Sequence, residues 1–156
     1  MRAVPLLEPW ELSAREGCRD AIARYTHAGD RFQMEAYAGV FTLDGVLQVR
    51  GEAPLEGRQA IFDHFTNRPL AEQGGNRPTI VRHNITNILF EEVTPELVVV
   101  GCYFTVFTDV GLDHMGRYRD RMVPDGDAWR IQHRFVSVDW HSPGSLITQR
   151  LREGEG

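Results

Sequence analysis

Apolar residues in the first third of the chain recur at helical spacing, and in the last half they alternate along long segments. Ser13 followed by Glu16 forms a capping box, and Cys18, Ile22 and Tyr25 continue a stripe one turn apart, which predicts a helix over 14–28. Gly29 is expected to end it in the left-handed conformation, leaving Asp30 free to point where a helix would not send it. Met34, Tyr37, Ala38 and Phe41 predict a second, shorter helix. It should stop at the turn dipeptide Asp44-Gly45, ahead of a short strand over 46–49. Ile61, Phe62 and Phe65 form the stripe of a third helix after Gly57, ending before Pro69.

Between 67 and 78 the composition shifts to Pro, Gly, Asn and Gln, the signature of a loop, read here as a rim or lid. Beyond it, 79–90, 97–108, 114–123 and 129–140 are rich in Val, Ile, Thr and aromatic residues and predict four long strands. Pro124-Asp125-Gly126-Asp127 joins the last two as a hairpin. Helices first and long antiparallel strands afterwards specify an α+β domain whose sheet covers its apolar face with the helices. The tail over 142–156 opens with Ser-Pro-Gly, and Leu146, Ile147 and Leu151 can dock as a short amphipathic turn.

With 156 residues, the expectation is one domain over 1–156 with a core at about 12–140. A net charge of −5 without a basic face argues against nucleic-acid binding. Two cysteines far apart in apolar surroundings read as reduced core residues rather than a disulfide frame or thiolate metal site. No apolar run has the length of a membrane span or a signal segment, which places the chain in the cytoplasm with no membrane partner.

Chemistry concentrates in two places. Arg24-Tyr25-Thr26-His27-Ala28-Gly29-Asp30 sets a phenol, an imidazole and a carboxylate at the end of a helix, and Arg82-His83-Asn84 places a histidine within an apolar strand. Both contain groups that can move protons, among residues that shift pKa values. His83 alternates with Val81, Ile85, Asn87 and Leu89, so these should share a face. The ordinary readings are a satisfied core histidine, a helix-ending aspartate and a core tyrosine. The reading pursued is that Asp30 and His83 meet.

Tyr103, Tyr118, Asp120 and Arg134 are candidate pocket residues. Tyr118 and Asp120 share a face, whereas alternation through Trp129, Ile131, His133 and Phe135 puts Arg134 on the other side of its strand. His27, His64, His114, His133 and His141 lack metal-ligand spacing, and His114 beside Asp113 reads as a solvated turn. No phosphate loop, serine elbow or reactive-cysteine motif is present, and neither metal nor cofactor is expected.

The two clusters, together with Phe41-Thr42-Leu43-Asp44-Gly45, Gly57-Arg58-Gln59-Ala60-Ile61, Gly116-Arg117-Tyr118-Arg119-Asp120 and Trp129-Arg130-Ile131, resemble a SnoaL-like protein of the nuclear transport factor 2 superfamily across residues 12–140. The resemblance implies an NTF2-like, cystatin-like fold: a cone-shaped, curved mixed β-sheet wrapped around three N-terminal helices, with a deep apolar pocket.

Within the superfamily the branch of scytalone dehydratase, bile acid 7α-dehydratase and hexachlorocyclohexane dehydrochlorinase is nearest. By that resemblance Asp30 and His83 stand where those lyases carry their Asp–His pair, and Tyr25 where the bile acid enzyme has a tyrosine. A second histidine, 25 residues past the first in scytalone dehydratase, is replaced here by Thr108. The expectation is a cofactor-independent lyase of dehydratase or elimination type, or an isomerase. Its substrate would be a small, mostly apolar cyclic or aromatic oxygenated molecule. The alternatives are a non-catalytic ligand-binding or assembly subunit, and a polyketide cyclase or epoxide hydrolase using Asp120 as a further carboxylate. Self-association as a homotrimer or homodimer is expected through an apolar outer sheet face.

Overall fold

A computed structural model describes residues 6–67 and 78–146. The element order is α1 (Pro9–Asp30), α2 (Met34–Gly39), β1 (Phe41–Val49), β2 (Leu55–Glu56), α3 (Arg58–Thr66), β3 (Val81–Val93), β4 (Val98–Thr108), β5 (Gly111–Asp125) and β6 (Ala128–His141). The sheet runs β2-β1-β6-β5-β4-β3. β1 lies parallel to β6 and every other pair is antiparallel, giving a mixed sheet. The expected loop over 67–78 and the tail beyond 146 fall almost wholly outside the described residues.

α1 begins earlier than the capping box predicts. Pro9 occupies its first turn, where a missing N–H costs nothing, and Glu11 there pairs with Arg15 one turn on at 2.6 Å. Its buried stripe of Ala14, Cys18, Ala21, Ile22, Tyr25 and Ala28 is made largely of small side chains, which lets the helix lie close against β3 and β6. A methyl on Gly17 would sit 2.6 Å from the Trp129 ring.

Gly29 is not the stop. The helix continues through Asp30, and the left-handed residue is Phe32, at φ 56°. The amide of Gln33 returns to the carbonyl of Ala28, closing the turn.

The Asp44-Gly45 dipeptide is not a turn either. β1 runs straight through it, and the register against β6 slips between Phe41 and Val46. Gly45 sits at this irregularity because a Cβ would lie 2.8 Å from the Cβ of Phe41 and 3.0 Å from the carbonyl of Ile131.

Two further irregularities set which residues face inward. Asn87, at φ 54°, lies where β3 slips against β4, so Leu89 emerges on the exposed side while Ile88 packs on the core. On β6 the register to β5 slips between Ile131 and His133, and both Ile131 and Arg134 end fully buried. The core between α1 and the sheet is strongly aromatic. Tyr25 lies 4.3 Å from Tyr37 and 5.9 Å from Tyr118, which stacks on Phe104 at 4.5 Å. Cys18 and Cys102 are free and buried, and burial pushes both thiols up to about 12.

Candidate functional site

Asp30 is the last residue of α1, and its carboxylate meets β3 at His83. Nδ1 of His83 lies 2.5 Å from Oδ1 of Asp30, and the backbone N–H of His83 donates to Oδ2 at 3.1 Å. The carboxylate therefore holds both the ring and the strand that carries it. With Nδ1 donating to a carboxylate, Nε2 is the nitrogen left with a lone pair. The pair is covered yet reachable, with side chains 18% exposed for His83 and 12% for Asp30.

Tyr25 faces the core, five residues before Asp30 on α1. The Tyr37 hydroxyl donates to the Tyr25 hydroxyl, which leaves the Tyr25 proton available to another acceptor. Burial, outweighing the nearby Arg134 guanidinium, raises the Tyr25 pKa and keeps it protonated.

The other candidates fall elsewhere. Tyr103 is 51% exposed on the outer face of β4, because it alternates with the buried Cys102 and Phe104. Asp120 and Arg134 are directly paired across β5 and β6 and are both 0% exposed. Nε and Nη2 of Arg134 donate to the two oxygens of Asp120 at 2.8 and 2.6 Å. The guanidinium is sandwiched between the Tyr25 and Tyr118 rings at 4.0 and 4.1 Å. Tyr118, Asp120 and Arg134 thus form a packed floor and not a surface open to a ligand. Alternation places Arg134 on the face opposite Ile131, but the β6 irregularity between Ile131 and His133 turns both inward.

A second Asp–His pair was missed. His114 is no solvated turn: it is 6% exposed on β5, and its Nδ1 lies 2.7 Å from Oδ1 of the fully buried Asp113. Asp113 also accepts from Thr108 Oγ1 at 3.0 Å, Ser145 Oγ at 2.6 Å and the Leu146 amide at 2.8 Å. Burial would raise the Asp113 pKa, but these donors and the imidazole hold it below the usual carboxylate value. Thr108, at the spacing where a second histidine was sought, supports the carboxylate of this pair. The visible signal was Asp113-His114 opening a strand, but the partners that bury it lie in β4 and in the segment after β6.

The register puts the two histidines in one row, His83 opposite Val106 and Val106 opposite His114. Directly opposed residues point to the same face, and Val106 is fully buried in the core, so both imidazoles belong to the core-facing side of the sheet. A surface groove of about 460 Å³, lined in part by Gly17, Arg24, His27, Trp129 and Arg130, includes neither histidine. Among the described residues no cluster of three or more His, Cys, Asp or Glu has the arrangement of a metal site. None of the described helices is long and apolar enough to cross a membrane.

No curated protein sequence matches the chain. Among solved structures, one from Catenulispora acidiphila, in complex with S-DNPA, is 28% identical with a TM-score of 0.68 over 82% of this chain and 95% of that one. An NTF2-like protein with a cystatin-like fold from Novosphingobium aromaticivorans is 23% identical with a TM-score of 0.71, covering 87% and 90%. A protein from the same organism carrying a provisional assignment as a scytalone dehydratase is 16% identical, with a TM-score of 0.70 and coverage of 87% and 93%. These last two establish the shared NTF2-like fold. The model of the SnoaL-like domain matches residues 10–135, most of the chain and every element from α1 to the first half of β6. With its N-terminal helices packed on a six-stranded mixed sheet, the chain belongs to the SnoaL-like domain family.

Proposed function

We propose that the protein is a cofactor-independent lyase of the dehydratase or elimination type, or an isomerase, acting on a small, mostly apolar cyclic or aromatic molecule that carries an oxygen function. The observation that supports this reading is the 2.5 Å contact between Asp30 and His83, with Nε2 unbonded among the described residues at a partly open position. Nε2 of His83 removes a proton from carbon next to an activating group, and the pair of electrons released either expels a leaving group or moves the double bond. Asp30 holds the ring and offsets the positive charge that forms on it. Tyr25 donates to the oxygen that gains charge or departs. The family contains dehydratases, and a structural neighbour at 28% identity was solved in complex with S-DNPA, in keeping with ligand binding by this fold.

The test pairs a structural and a chemical readout. Proton NMR of the free protein should show a downfield, exchange-protected Nδ1–H of His83 that disappears in Asp30→Asn. A screen of cyclic ketones, alcohols and phenols for elimination or double-bond migration should then find a turnover that Asp30→Asn and His83→Ala each reduce by about 10²–10⁴-fold. Both variants should melt cooperatively. Variants that fold and keep full activity would overturn the proposal.

A further inference from the structure

The Asp113–His114 pair has no place in the reaction just proposed, and its construction goes beyond what packing needs. Anchoring the segment after β6 accounts for Asp113: the Ser142 amide donates to its backbone carbonyl at 2.7 Å, and Ser145 and Leu146 donate to its carboxylate. It does not account for an imidazole. Among the described residues Nε2 of His114 has no hydrogen-bond partner, although the residue is 6% exposed, and it is not among the nitrogen or oxygen atoms sealed without a partner. A core histidine ordinarily satisfies both nitrogens.

The ring is held at its other nitrogen and along one flank. Nδ1 is fixed by Asp113, whose remaining acceptor positions are filled by Thr108, Ser145 and Leu146. The Phe104 ring packs edge-on at 5.8 Å. His83 and His114 stand two strands apart on one face, with backbones roughly 10 Å from each other, and each offers an unbonded Nε2.

We propose that His114 is a substrate-binding residue of the same pocket, whose Nε2 accepts a hydrogen bond from a ring hydroxyl at the opposite end of the substrate from the carbon that His83 deprotonates. This inference rests on the reading that His83 faces the substrate, and it narrows the substrate class to hydroxylated rings, phenolic or enolic, over ketones and ethers without a donor. Burial lowers the His114 pKa, with Asp113 opposing and His83 and His141 adding to the effect. At neutral pH the ring is therefore an acceptor at Nε2, which suits a hydroxyl donor and not a carbonyl. His141 continues the row beyond His114, but its Nδ1 is turned to the Ser142 carbonyl.

The experiment uses the full chain with ¹⁵N-labelled histidine and two probes of nearly equal shape, 2-naphthol and 2-methoxynaphthalene. Before any probe, His114 should show a protonated Nδ1 and an unprotonated Nε2. Saturable addition of 2-naphthol should move the His114 Nε2 resonance upfield. The ether should bind about tenfold or more weakly, since it leaves the acceptor unpaired. In His114→Phe the preference for the hydroxyl should vanish while 2-naphthol still perturbs His83. Should that variant fail to fold, the two probes on the native chain decide the matter alone.

If 2-naphthol perturbs His83 but not His114, and both probes bind alike, His114 is a core residue and this inference falls while the Asp30–His83 reading stands. If neither histidine responds, both fall. A His114 protonated at Nε2 in the free protein overturns the inference directly.

Discussion

Asp30 and Asp113 each hold a histidine of the same sheet face and differ in what surrounds them. Asp30 spends its oxygens on one residue, taking both the ring and the amide of His83, whereas Asp113 gathers donors from three segments. That difference has a pH consequence. The folded His114 has a lowered pKa, so below its ordinary value of about 6.5 the unfolded chain binds a proton that the folded chain refuses. Stability contributed at this site is whole above about pH 6.5 and declines as the pH falls. The Asp113 share is whole above the ordinary carboxylate value of about 3.9 and is lost as the pH drops toward its depressed folded value. Thermal melts between pH 7.5 and 4 should show a falling midpoint, and His114→Gln should flatten the part between about pH 6.5 and 5. A variant whose profile parallels the native one would refute this account. Asp30 and His83 stood out as groups that can move protons, and the family resemblance gave them a shared role, while His114 had neither, because nothing in a string separates a solvated Asp-His turn from a buried one.

At the scale of elements, the irregularities in the strands decide more than the strands themselves. Alternation located β3 to β6 within a few residues, yet it failed at Asn87 and near Gln132, where one slip reverses every side chain beyond it. Arg134 is inside for this reason, and there it forms with Asp120 a wholly buried ion pair capped by two tyrosine rings. Removing one member strands the other's charge, so Arg134→Met should lower unfolding free energy by about 3–5 kcal/mol. Adding Asp120→Leu to that variant should regain most of the loss. Urea denaturation of the single and double variants checks this, and a double variant no more stable than the single would show that the pair's worth lies elsewhere. The helix ends were misjudged for a related reason: Ser13 and Gly29 carry good capping chemistry, but α1 gains more by extending its packed surface in both directions.

For the whole molecule, the sheet leaves Leu89, Tyr103, Phe107 and Met115 exposed on its outer side, interspersed with the ion pairs Arg119–Glu91 and Arg117–Asp139. We propose that this face joins copies of the chain into a homotrimer or homodimer, burying apolar side chains that a solitary protomer would expose. Sedimentation should return a multiple of 17.8 kDa, and Phe107→Asp should shift it to the single-chain mass without unfolding it. A native protein that sediments as one chain would reject the proposal.

The sequence by itself determined the inventory: three helices ahead of long strands, a free-cysteine core and the α+β class, which follow from periodicity and residue chemistry acting over one to a few turns or strand repeats. The pairing of Asp30 with His83, 53 residues apart, came from the family resemblance and not from any local pattern. Tertiary structure alone decided which face of each strand is inner, that Tyr103 is outside and Arg134 within, and that Asp113–His114 is a second dyad. Each of these depends on register between segments distant in sequence. A shift of one residue in pairing costs little locally and exchanges inside for outside, so only the assembled sheet settles it.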